Sequence, residues 1–220
     1  MRKFKAFTLV ELMIALTVIG ILSALVLPML SNNSPNRNKM MMKKAYYTIT
    51  DVVNELVNDT ALYPEIDSSG NEYVGFDNLQ SACEAGGCSG LGKFPSLFPK
   101  QLNIDGDITY GGSENSYSYF TTNDGMSWVV HSEKMTGHNI PTEISDVETG
   151  DPQIVQSITV DVNGNKKPNC QQGDGGDCEG RTDGFDKFTV YVSQSGKIIP
   201  MSGQDWFIEA IGVGSDLNGD

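Results

Sequence analysis

The sequence predicts an α+β fold: a long N-terminal helix whose first half crosses a membrane, with an antiparallel β-sheet packed on its second half. Three observations carry this. Residues 7–28 hold one charge in 22 positions. Positions 42–57 repeat apolar side chains every three or four residues. From residue 107 onward, short strand-like runs are separated by Gly, Asn and Asp turns.

The apolar stretch Phe7–Pro28 would form a helix roughly 33 Å long, enough for a bilayer core of about 30 Å. Arg2, Lys3 and Lys5 precede it with no acid among them, which holds the N-terminus in the cytoplasm and sends the remainder across. A cleaved secretory signal is the alternative, but its apolar region is shorter, and Leu22-Ser23-Ala24 is a poor cleavage site. The exception within the span is Glu11. An ionisable side chain there is costly unless it is paired or near an end, and the span contains no Lys, Arg or His. A free α-amine, created on a neighbouring copy by cutting before Phe7, would serve. In a plain signal anchor, Glu11 would instead sit among the headgroups.

Lys5-Ala6-Phe7-Thr8-Leu9-Val10-Glu11 resembles the processing motif of type IV pilins and type II secretion pseudopilins, with Ala6 where the family usually has Gly. The resemblance implies that a prepilin peptidase cuts between Ala6 and Phe7 and methylates the new amine of Phe7. It implies that Glu11 pairs with that amine on the adjacent subunit, which would fix the axial register of a helical filament. Pro28 falls where many members carry a helix-kinking proline. The implied division is a leader at 1–6, a transmembrane helix at 7–30, its amphipathic continuation at 31–59 and a globular domain at 60–220. The implied partners are other pilin or pseudopilin subunits, the prepilin peptidase and inner-membrane assembly machinery. The domain would be periplasmic, then part of a pilus or secretion filament.

Ser34-Pro35 reads as an N-cap followed by a first-turn proline. Met42, Ala45, Tyr46, Ile49, Val52, Val53, Leu56 and Val57 then form one stripe, with Lys43, Lys44, Asp51 and Glu55 off it. Residues 60–105 are broken by Gly and Pro, and Leu91, Phe94, Leu97 and Phe98 tuck this segment onto the core. Strands are expected at Asp107–Tyr110, Ser116–Thr122, Met126–Ser132, Gln153–Val162, Lys187–Ser193, Lys197–Pro200 and Asp205–Ile211. Asn123-Asp124-Gly125 and Ser195-Gly196 are turns by their chemistry.

The formal net charge is −13. Removal of a six-residue leader leaves 12 basic against 28 acidic residues, a net of −16. Such a surface repels phosphate backbones, which argues against a nucleic-acid partner. It suits a soluble exterior or divalent cations. Cys83, Cys88, Cys170 and Cys178 allow three disulfide connectivities in an exported chain. The two local pairs are favoured, since each lies in a Gly-rich loop that needs a staple. There is no C-x-x-C, and neither His131 nor His138 is near a cysteine pair, which disfavours zinc.

Asp161, Asn163 and Asn165 stand at alternate positions around Gly164, with Asp174 following. Oxygen ligands around a glycine turn suit calcium, although an EF-hand would want Gly and Glu where the chain has Lys166 and Gln172. The plain alternative is a solvated loop. Some pseudopilins bind calcium near their C-terminal strands, so the resemblance implies the same of this loop. No catalytic motif is present: H-E-x-x-H, G-x-S-x-G, the P-loop and G-x-G-x-x-G are all missing. The expected role is therefore a filament subunit, a minor pilin or accessory pseudopilin. The alternatives are a membrane-anchored calcium-dependent adhesin and, less favoured, a bitopic periplasmic enzyme.

Overall fold

The computed structural model describes residues 8–26, 35–79, 89–135, 153–164 and 166–212. Helix α1 spans Leu9–Val26 and helix α2 spans Pro35–Asn58. Two short helices follow later, α3 at Lys93–Leu97 and α4 at Asp205–Ile211. Six strands, β1 Ile104–Gly111, β2 Tyr117–Thr122, β3 Ser127–Met135, β4 Gln153–Asp161, β5 Lys187–Val192 and β6 Ile198–Pro200, make one sheet. Their spatial order is their sequence order and every pairing is antiparallel. The architecture is thus N-terminal helices with a six-stranded antiparallel meander.

Period-2 alternation explains which face of the sheet is inner. Phe120, Trp128, Val130, Ile158, Val160, Phe188, Val190 and Val192 are buried on one side, while Tyr117, Tyr119 and Val129 stay partly exposed on the other. The α2 stripe completes the same core, with Met42, Ala45, Ile49, Val53 and Leu56 fully buried. The Gly/Pro-broken segment contributes as expected. Phe94, Leu97 and Phe98 are buried, and edge contacts run from Tyr63 through Phe76 to Phe94. Lys93 is buried in this aromatic layer. Its ammonium lies 4.1 Å from the centre of the Tyr63 ring and donates to the Asn78 carbonyl at 3.0 Å, and burial pushes its pKa down to about 8.

The segment expected as a seventh strand, Asp205–Ile211, is helix α4. Trp206, Phe207 and Ile211 are buried and Ala210 is partly so, a spacing of one, four and five that belongs to a helix and not to an alternating strand. Gly212 ends α4 in the left-handed region at φ 71° and donates to the Ile208 and Glu209 carbonyls. Phe207 stacks on Phe188 with 4.1 Å between ring centres and meets Tyr46 edge-on at 6.1 Å. This locks α4 between α2 and β5. Lys39 closes the outer edge, 2.8 Å from Glu209 and 5.3 Å from the centre of the Trp206 ring.

The short β6 leaves β5 in need of a further partner, and Gln204 supplies it. This buried carboxamide accepts from the Thr189 N–H at 2.9 Å and donates to the Thr189 carbonyl at 3.0 Å, so one side chain imitates a neighbouring strand. Replacement by Ala strands the Thr189 N–H, while the Thr189 carbonyl keeps the Met201 N–H at 3.1 Å. Gln204→Ala is expected to cost about 1–3 kcal/mol, read as a lower urea midpoint with an unchanged m-value.

Candidate assembly helix and polar loop

Along α1 the ten large apolar residues from Leu9 to Leu22 are 49–77% exposed. A helix apolar on every face belongs inside something else, and among the described residues nothing covers it. Among the described residues no helix is long and apolar enough to cross a membrane. The described α1, 18 residues, is about 27 Å long, just short of the bilayer core of about 30 Å. Residues 27–34, with Pro28, and residues 1–7, with Ala6 and Phe7, lie outside the described residues.

Glu11 is not without partners in the single chain. Its carboxylate accepts from the Thr8 backbone N–H at 2.8 Å and from the Thr8 hydroxyl at 2.9 Å, while the Glu11 N–H donates to the Thr8 hydroxyl at 3.3 Å. This is a reciprocal capping box, and T-x-x-E before an apolar run is its sequence signature. The box satisfies the hydrogen bonds of Glu11 but, among the described residues, supplies its charge with no counter-ion.

Residues 1–27 match the family model described as the prokaryotic N-terminal methylation motif. The chain carries the type IV pilin and pseudopilin signature. No curated protein and no solved structure matches the chain. The pilin-type motif supports a pilin-like or pseudopilin subunit, a structural role rather than an enzymatic one. It implies processing by prepilin peptidase and assembly with other pilin subunits, and it points to a membrane-anchored or pilus-associated protein.

The polar loop of this pilin-type chain joins β4 to β5. It is stapled by Cys170–Cys178 across a Cα–Cα distance of 5.5 Å, one of the two expected local pairs; Cys83 and Cys88 lie outside the described residues. Asp186 organises the loop from beneath. Fully buried, its carboxylate accepts from the Cys170 N–H, from the Asn169 N–H at 2.9 Å and from the Asn163 amide at 2.8 Å. Asp161 ends β4 close by and accepts from the Asn163 N–H at 3.2 Å. Burial, and next the charge of Asp186, push the Asp161 carboxyl up to about 7. Gly164, at φ 68°, passes so close to the β2–β3 turn that an added Cβ would sit 2.7 Å from the Gly125 carbonyl, so only glycine fits.

Asn169 reaches into the same loop. With its amide nitrogen turned inward it donates to Asp161 Oδ2 at 2.9 Å, the Lys166 carbonyl at 3.0 Å and the Gly164 carbonyl at 3.1 Å. With its oxygen inward, four oxygens would face one another over those distances, an arrangement that only a cation among them would hold. Asn163 Oδ1 is buried with no hydrogen-bond partner among the described residues. Of the four residues expected to hold calcium, Asp161 and Asn163 share this cluster and Asn165 lies outside the described residues. Asp174 is exposed and accepts from the Gln171 N–H at 3.2 Å, closing its own turn.

Asp186 and Asn169 were missing from that expected set. An acid directly after Phe185 and just before the strand Lys187–Val192 was the available signal. Gln172, which breaks the EF-hand pattern, accepts from the Trp206 N–H at 2.7 Å and so caps α4. Among the described residues no group of three or more His, Cys, Asp or Glu is placed to hold a metal. Any cation here would therefore rely on amide and backbone oxygens beside the Asp161 carboxylate.

Proposed function

We propose that this chain is a minor pilin or accessory pseudopilin, anchored in the inner membrane through residues 7–30 and assembled into a filament after cleavage between Ala6 and Phe7. The observation that carries the reading is the wholly apolar, uncovered α1 that opens on the processing motif. In a filament, copies of α1 cover one another and leave the lipid. Methylated Phe7 of one subunit faces Glu11 of the next, and the acidic domain, residues 60–220, lines the outside. The test is the intact mass and N-terminal residue of the membrane-recovered protein, with and without a prepilin peptidase. A chain beginning at methylated Phe7 only when the peptidase is present is the expected result. A chain still carrying Met1-Arg2-Lys3, or cut near Ala24, overturns it.

The convergence of oxygens around Asn169 favours a second element: calcium held by Asp161, Asn163, Asn169 and nearby carbonyls, consistent with an adhesin-like or partner-binding loop. Because the folded pKa of Asp161 is raised to about 7, the folded state keeps a proton that the unfolded chain has already lost between about pH 4 and pH 7. The contribution of this group to stability is therefore full below about pH 4 and is lost as the pH rises to 7. Above that, Asp161 and Asp186 repel each other, and calcium would relieve the repulsion. Calcium at a hundredfold excess over its dissociation constant should raise Tm by about 5–10 °C at pH 8, and by much less at pH 5. No shift at pH 8 would leave Asn169 with its nitrogen inward and remove calcium from the account.

A further inference from the structure

We propose that the core holds long-lived internal water at one end of the sheet, bound by Ser118, Ser132 and Gln156. All three residues are at most 1% exposed, and Ser118 Oγ, Ser132 Oγ and Gln156 Oε1 have no hydrogen-bond partner among the described residues. They lie together on the inner face. Ser132 is paired with Gln156 across β3 and β4. Ser118 pairs with Val130, two residues from Ser132 on the same strand. Cross-strand neighbours stand about 4.5–5.5 Å apart at Cβ, and diagonal ones about 7–8 Å, separations that one or two bridging waters span.

Side-chain volume differs along the inner face, which elsewhere carries Phe120, Trp128 and Phe188 and at this end has two serines. The turn Gly90–Gly92 leading into α3 packs on β3 and on residues 113–115 just before β2. Buried polar atoms left dry are costly, and the usual remedy in native cores is ordered water with two to four polar partners. Here the water accepts from a serine hydroxyl and donates to Gln156 Oε1, which ties β2, β3 and β4 together beneath α3.

The test uses the full chain in detergent micelles. Magnetisation transfer between water and the Ser118 and Ser132 protons should show a slowly exchanging buried water on the unaltered protein. Ser118→Ala and Ser132→Ala should each lower Tm by about 2–4 °C. The double variant should fall no further than the worse single one, because both serines hold the same water. Absence of the water signal, a rise in Tm on either substitution, or strictly additive shifts overturns the proposal. Since the water signal is read on the unaltered chain, a variant that fails to fold does not spoil the test.

Discussion

Glu11→Ala should leave processing untouched and remove the subunit from the filament. In the proposed filament the peptidase would read the residues around Ala6 and Phe7, whereas Glu11 would act later, as the counter-charge for a neighbouring amine inside an apolar bundle. Without it that amine is buried unpaired, and breaking a buried pair from one side is the severe case. The sheared filament fraction should therefore contain at least roughly tenfold less of the variant, while mass spectrometry still finds methylated Phe7. Thr8→Ala separates the two duties of the carboxylate. It breaks the capping box but keeps the charge, so its loss of incorporation should be smaller. Glu11→Ala recovered from filaments at the normal level would sink the register role.

Asp186→Ala should be the most damaging substitution in the globular domain. Three donors converge on this one buried carboxylate: the Cys170 and Asn169 backbone N–H groups and the Asn163 amide. Its own backbone N–H and carbonyl tie the loop to β4 and β5 through Cys170 and Val162. Truncation leaves the Cys170 N–H buried and unsatisfied and takes the acceptor from the half-buried Asn163 amide and the Asn169 N–H, at an expected cost of about 2–4 kcal/mol. Asp186→Asn keeps the volume and one acceptor oxygen and should cost about half as much. Urea unfolding measures both. Equal, near-zero effects would mean that the loop is held by Cys170–Cys178 alone.

The order of elements was legible because each rested on a period or a breaker. Seven stretches were assigned as strands and six of them are strands, each bounded by Gly, Asn, Asp or Pro turns. The α2 stripe was legible for the same reason, with Met42, Ala45, Ile49 and Val53 at helical spacing. Asp205–Ile211 misled because its two aromatics are adjacent, so a window of seven fits either period until the partners Phe188 and Tyr46 are known. The processing motif was legible as local chemistry. The polar loop was only half legible, because Asp161 and Asp186 are 25 residues apart in the chain and meet through strand pairing. The capping role of Gln172 depends on where α4 lies, which no spacing rule encodes.

The meander has a consequence for how the chain comes to be folded. Every strand pairs with its neighbour in sequence, so the sheet can grow strand by strand, with no closure longer than the 25 residues between Asp161 and Lys187. Helix α2 is different. Asn38 donates to the Phe185 carbonyl at 3.1 Å, Lys39 meets Glu209 and Tyr46 meets Phe207, all partners about 150 residues further along. During synthesis, or passage through a membrane pore, the sticky side of α2 therefore emerges early and stands bare until almost the last residues arrive. Throughout that interval it is exposed to aggregation.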